Sequence, residues 1–162
     1  MTDFEKLLRV LHEGEVECIV IGGLAATIHG SARLTQDVDV CYSRSAANLD
    51  RLVSALQPLR PYPRGAPPGL PFEWSAATLK SGLNFTLITS AGPLDLFGEV
   101  VGGGTYEELL PQTVIVSLFG LDVKCLELDR LIKTKRAAGR PRDLEAIAEL
   151  EALREERGSD RG

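Results

Sequence analysis

Two aspartates one residue apart, Asp37 and Asp39, close the stretch VIGGLAATIHGSARLTQDVDV (residues 20–40). They stand in what otherwise reads as a buried strand. Side chains alternate along a strand, so both acids point to one face while Val38 and Val40 point to the other. The strand rise puts their Cα atoms about 7 Å apart. Carboxylates that close repel unless a cation or a proton lies between them, and burying one without a partner is costly. Oxygen donors select a hard cation, and Mg²⁺ takes one or two carboxylates together with phosphate oxygens. The competing reading is a solvated edge strand with two ordinary acids.

Other residues bear on that choice. Gly22-Gly23 sits where a buried strand meets a helix. Glycine lets a backbone approach a ligand, and a helix start offers free N–H groups to phosphate; the plainer reading is a tight turn. The pair is not the G-x-G-x-x-G fingerprint, because Ala25 and Ala26 follow. A third acid, Asp95, interrupts the apolar run GPLDLFGEV and also needs a partner. That partner is either a cation or a salt bridge to Arg33 or Lys135; Glu99 and Asp122 are rival third acids in more polar surroundings. Lys135 shares a helix face with Leu128, Leu131 and Ile132, whereas Lys133, Thr134 and Arg136 point elsewhere. It either snorkels to solvent or reaches into a site. Arg33 shares the face of the two aspartates if their strand extends that far back, where it would hold a carboxylate or a phosphate. His29 reads as a capping or packing residue.

The positioning elements follow from periodicity. Phe4, Leu7, Leu8 and Leu11 mark a helix over 3–13, and VECIVIGG is a buried strand. LAATIHG is a short helix with Gly30 at C′, and DVDVCYS is a second strand. Ser45 caps a helix whose face carries Leu49, Leu52, Val53 and Leu56. Residues 58–71 hold six of the nine prolines, which argues against regular structure and predicts an ordered excursion or a flexible flap. NFTLITS and PLDLFGEV are strands, followed by a glycine turn and a short polar segment. TVIVS and LDVKCLEL form a hairpin around Phe119-Gly120. Helices follow at about 128–138, stopped by Gly139, and about 141–156, opened by Pro141. The expected fold is α+β, a small mixed sheet covered by helices on one side. It forms a single domain over 1–156 with a disordered tail over 157–162.

The chain has 162 residues, 44% of them apolar, and a net charge of −5 from 18 basic and 23 acidic side chains. That balance argues against an extended, sequence-blind nucleic-acid surface. Cys18, Cys41 and Cys125 fall in apolar runs without metal-ligand spacing and read as reduced residues of a cytoplasmic protein. The charged N-terminus is not a signal peptide, and no apolar run approaches the ~20 residues of a membrane span.

In combination these pieces resemble a known family. Gly-Gly after a strand, thirteen residues, Asp-x-Asp on the next strand and a lone Asp on a later one together resemble the polymerase-β-like nucleotidyltransferase superfamily. The resemblance implies the palm-like nucleotidyltransferase fold and transfer of a nucleoside monophosphate from an NTP, such as ATP, to an acceptor hydroxyl, with release of pyrophosphate. It implies that Gly22 and Gly23 touch the phosphates and that Asp37 and Asp39 bind two Mg²⁺ ions. Asp95 would bind one of these ions and help activate the acceptor. Many members carry Gly-Ser where this chain has Gly22-Gly23. HGSARLTQDVDV and LIKTKRAAGRPRDLEAIAELE resemble the small branch that includes nucleotidyltransferase toxins of type IV toxin–antitoxin systems. That branch implies a nucleotide-binding role for Lys135 and Arg33, and an orienting role for Asp143 toward a basic side chain. It also implies a cognate toxin or antitoxin partner; the acceptor is open, with RNA (such as tRNA) and protein among the candidates. A small-molecule acceptor is equally open. The alternative is a non-catalytic nucleotide-binding or antitoxin-like module with the same fold.

Overall fold

The computed structural model describes residues 1–160. Helix α1 (Phe4–Glu13) is capped by Asp3, whose carboxylate accepts from the Lys6 amide, and it buries Leu7, Leu8 and Leu11. The chain continues through β1 (Cys18–Ile21), α2 (Gly22–Ile28), β2 (Val38–Tyr42) and α3 (Ala46–Leu56). Then come β3 (Tyr62–Pro63), α4 (Ala76–Ser81), β4 (Asn84–Thr89) and β5 (Gly92–Phe97). A short ladder of β6 (Glu99–Val100) and β7 (Gly104–Thr105) leads to α5 (Tyr106–Leu109). The hairpin of β8 (Thr113–Leu118) and β9 (Leu121–Leu126) precedes α6 (Leu128–Ala138) and α7 (Pro141–Asp160).

Seven strands form one mixed sheet in the order β3-β4-β5-β2-β1-β9-β8. At its centre, β2 pairs antiparallel with β1 and parallel with β5. Val40 and Cys41 are adjacent, hence on opposite faces, and both are fully buried. The centre is therefore covered on both sides. One-sided cover holds farther out: along β4, Asn84, Thr86 and Ile88 are exposed while Leu87 and Thr89 are buried.

Four segments differ from the sequence expectation. The proline-rich stretch holds regular structure: a 3₁₀ turn (Gln57–Leu59) leads into it and β3 follows, pairing with β4 at the sheet edge. Pro63 is tolerated there because an edge strand has a side that needs no donor. Residues 72–83, left without an element, contain α4, and the preceding Trp74 donates its indole N–H to Val53 O at 3.0 Å. The short polar segment is α5, closed by a capping box between Thr105 and Glu108. The last helix runs through Asp160, so 157–160 are not an unstructured tail; Arg161 and Gly162 lie outside the described residues.

The cysteines are free, and burial pushes the Cys41 and Cys125 thiols up to about 12. No helix among the described residues is long and apolar enough to cross a membrane. His29 is a packing residue: its Nε2 donates to Leu126 O at 2.7 Å, tying α2 to the end of β9. Asn48 plays the same part between α3 and the sheet. Fully buried, it accepts from the Glu17 amide (2.7 Å) and donates to Glu17 O (3.1 Å) and Ser43 O (2.7 Å). Asn48→Ala strands three backbone groups and should cost about 3 kcal/mol in urea unfolding; a loss below about 1 kcal/mol would contradict that accounting.

Candidate active site

Three acids meet at one end of the central strands. Asp39 lies on β2, with Ile21 of β1 opposite it on one side and Asp95 of β5 on the other. Asp37 stands just ahead of β2. One carboxylate oxygen from each of the three can be chosen so that all lie within 4.8 Å of one another. Two ligand oxygens on an octahedral Mg²⁺ are about 3–4 Å apart, so small side-chain rotations would close the set on a hard cation. All donors are oxygen, with no thiolate or imidazole among them.

Asp39 is the member that most needs a partner. Its Oδ1 is buried and makes no hydrogen bond among the described residues. Burial, then the charges of Asp95 and Asp37, push its pKa up to about 7, against the pull of Lys135. Burial also raises Asp95, but the guanidinium of Arg64 opposes that shift. Of the two, Asp39 is the acid that burial and neighbouring charge hold most strongly against ionisation. These residues fit a bound divalent cation: an orphaned buried oxygen, two neighbouring carboxylates and no other donor type.

The glycine pair has a reason visible in the structure. Gly22 opens α2 with φ +66°, and a Cβ there would lie 2.1 Å from Asp39 Oδ2. Gly22 therefore makes room for the carboxylate as well as for any ligand. A Cβ on Gly23 would lie 2.7 Å from Thr35 Oγ1, and that hydroxyl donates to Asp37 O at 3.2 Å. Gly23 thus lets the 31–37 loop lie close against α2. No side chain caps α2, whose N-cap is Ile21.

The basic groups lie on the other flank of a cleft of about 320 Å³ that also takes in Arg33, Lys135, Arg140 and Asp143. Lys135 projects from α6 and forms no ion pair among the described residues. Burial lowers its pKa, and the charges of Asp143 and Asp39 pull the other way. The buried Asp143 accepts from Arg140 Nε at 2.6 Å, from Nη2 at 3.3 Å and from the Arg140 amide at 3.3 Å. Burial opposes ionisation of Asp143, yet the Arg140 hydrogen bond with the charges of Arg140 and Lys135 holds its pKa below the usual range.

Several expectations are corrected. Arg33 does not share the strand face of the aspartates, because β2 begins at Val38 and 31–37 is irregular. Its guanidinium pairs with Glu145 (3.6 Å) and Glu149 (3.9 Å) on α7. Neither Arg33 nor Lys135 pairs with Asp95; Arg64 does, and it also lies 3.8 Å from Asp37 Oδ2. Thr134 does not point away from the core: it is buried and donates to Leu131 O at 2.7 Å. Asp122 is exposed on β9, outside the acidic cluster, as is Glu99. Sequence reasoning also missed Arg140, for which a signal existed in its spacing of three residues from Asp143. Arg64 lies in the proline-rich stretch, and nothing in the local sequence shows that this stretch pairs with β4.

No family model matches the chain, and no curated protein matches it. Solved structures do. The lincosamide antibiotic adenylyltransferase LnuA, lincomycin-bound, superposes with TM-score 0.61 at 11% identity, over 94% of this chain and 98% of its own. ANT(2″)-Ia in complex with adenylyl-2″-tobramycin gives 0.53 at 15% identity, over 98% and 96%. TM1012 from Thermotoga maritima gives 0.53 at 13% identity, with the same coverage. At these identities the likeness establishes the fold: the chain has the nucleotidyltransferase architecture, mixed sheet and C-terminal helices included.

The raised pKa of Asp39 carries a stability consequence. An unfolded Asp ionises near 3.8, the folded residue near 7. Between these values the native state holds the extra proton, so this contribution to stability falls as pH rises, by up to about 1.4 kcal/mol per unit, and levels off above the folded pKa. Asp39→Asn removes that slope while keeping a donor for Asp95. Without added metal, the variant's melting temperature should rise relative to wild type by several degrees more at pH 8 than at pH 5; a difference independent of pH would rule out Asp39 as the proton holder.

Proposed function

We propose that the protein is a Mg²⁺-dependent nucleotidyltransferase that moves a nucleoside monophosphate from an NTP to an acceptor hydroxyl and releases pyrophosphate. The observation that carries this reading is the buried, unpartnered Oδ1 of Asp39 within a three-carboxylate cluster, beside two glycines at an uncapped helix start. Two Mg²⁺ ions, when bound, would offset the negative charge of the transferring phosphoryl group and lower the pKa of the acceptor hydroxyl.

The chain's own residues divide the remaining work. Asp37, Asp39 and Asp95 hold the ions. The amides of Gly22 and Gly23 meet phosphate oxygens at the start of α2. Lys135 supplies positive charge to the triphosphate, and its desolvation cost is partly offset by Asp143 and Asp39. Asp143 holds Arg140 in a forked pair at the same rim, and Arg33 joins it from the 31–37 loop. As the acceptor oxygen bonds to the α-phosphorus and the bond to pyrophosphate breaks, the hydroxyl proton passes to the Asp95 carboxylate.

The acceptor belongs to the same proposal. Similarity to antibiotic adenylyltransferases favours a small polyhydroxylated molecule, and the toxin-like sequence motifs favour RNA or a protein with a cognate partner. Incubation with labelled ATP, CTP, GTP or UTP, Mg²⁺ and fractionated cell extract separates these by the fraction that carries label. Label in no fraction, with NTP binding retained, would favour the non-catalytic nucleotide-binding module.

Asp37→Asn and Asp39→Asn should each lower transfer by at least about 100-fold with the fold intact by circular dichroism. Residual transfer within about tenfold, roughly 1.4 kcal/mol of barrier, would refute the metal-ligand role. Lys135→Ala should weaken NTP binding by about 10- to 100-fold, the scale of one lost charged hydrogen bond, while leaving nucleoside binding nearly unchanged. An equal effect on both ligands in calorimetry would assign Lys135 to packing.

A further inference from the structure

Arg64 reaches the acidic cluster from an unexpected direction. It follows Pro63 on the edge strand β3, and its amide donates to Thr86 O at 3.0 Å. From there its side chain crosses β4. Nε and Nη2 both donate to Leu87 O, at 3.2 and 2.9 Å. Nη2 also donates to Asp95 Oδ1, and Nη1 lies 3.8 Å from Asp37 Oδ2. The guanidinium is mostly buried, with its side chain 28% exposed. It contacts two of the three acids but not Asp39, whose Oδ1 has no hydrogen-bond partner among the described residues.

A half-buried guanidinium beside Asp37 and Asp95 occupies space where both carboxylates stabilise a cation. A divalent ion bound by the same carboxylates would lie within a few ångströms of it, and two cations that close in a poorly solvated site repel strongly. Both cannot hold the same oxygens. We propose that Arg64 is the built-in counter-ion of the acidic cluster, which must leave Asp37 and Asp95 for a divalent cation to seat and so sets the protein's affinity for that ion. This rests on the reading of the three acids as a metal site.

The surroundings suit a side chain that can leave. Gly65 follows at φ +82°, with nothing within 4 Å of where its Cβ would be, and Gly69 is equally unobstructed at φ +86°. The carbonyl that Arg64 holds, Leu87 O, belongs to β4, next to the sheet edge. The anchor of the segment lies elsewhere: Tyr62 packs edge-to-face on Phe72 at 6.0 Å, and its hydroxyl bonds Pro67 O and the Leu70 amide. Release of Arg64 therefore leaves that anchor in place. Release also frees the Asp95 oxygen that Arg64 now occupies.

The test uses the full chain and Mn²⁺ as probe, without nucleotide. Arg64→Gln should bind Mn²⁺ at least about tenfold more tightly than wild type by calorimetry, and its metal-free form should melt lower because two acids lose their partner. Equal or weaker Mn²⁺ binding by Arg64→Gln overturns the proposal. Asp37→Asn separates the two layers. If wild type binds Mn²⁺, Asp37→Asn does not and Arg64→Gln is no tighter, the metal site stands and the counter-ion role falls. If neither wild type nor Arg64→Gln binds Mn²⁺ at millimolar concentration, both fall. Should Arg64→Gln fail to fold, the wild-type protein supplies a second readout. Trypsin must take the Arg64 side chain to cut the Arg64–Gly65 bond, so saturating Mn²⁺ should speed that cleavage several-fold; unchanged or slower cleavage overturns the proposal.

Discussion

Crowding of three carboxylates at one end of the central strands is the constraint around which the rest of the cleft is arranged. The pairing of β2 with β1 and β5 sets Asp39 beside Asp95, and the chain entering β2 adds Asp37. Such a cluster would oppose folding if it stood alone, since each charge raises the cost of ionising the others. The molecule answers with cations from three directions: Arg64 from the sheet edge, Lys135 from α6 and, more distantly, Arg140 at the start of α7. What they leave uncompensated is concentrated on Asp39, which keeps a proton into the neutral range.

The packing follows from the same requirement. Gly22 has no side chain because Asp39 occupies the space where its Cβ would be, and Gly23 has none because Thr35 lies against it. Both faces of the sheet centre are dry, so the acids are held by fully buried neighbours such as Val38, Val40 and Leu94. The opposite rim is built on a different principle. Asp143 is buried and saturated by Arg140, a pair that orients positive charge toward the cleft without neutralising Lys135. An acidic floor and a basic rim are thereby kept apart within one small cavity, an arrangement suited to a ligand that carries both metal ions and phosphates.

Much of this was legible in order along the chain. The strand carrying Asp39, the helix stopped by Gly139, the helix opened by Pro141 and the hairpin at Phe119-Gly120 are each set by local patterns, and each appears where those patterns place it. The three acids stood out in the sequence because a carboxylate inside an apolar strand conflicts with its surroundings, and the fold brings them together. Some departures had local signals, such as the Thr105–Glu108 capping box of α5; those at the site had a long-range cause. Residues 58–71 look irregular by composition, and only pairing with β4 makes Tyr62–Pro63 a strand. Arg33 lies four residues before Asp37, yet the 31–37 loop turns it toward α7 rather than onto the strand face.

By itself, then, the sequence determined which residues could do chemistry and the elements on which most of them ride, because periodicity, capping and misplaced charge are local properties. Tertiary structure decided which charges face one another. Asp39 and Asp95 are separated by more than fifty residues of chain and become neighbours through parallel strand pairing. Arg64, rather than Arg33 or Lys135, is the partner of Asp95 because an edge strand carries it across β4. Electrostatic partnership depends on distances of a few ångströms and on burial, and neither is set until the sheet has closed.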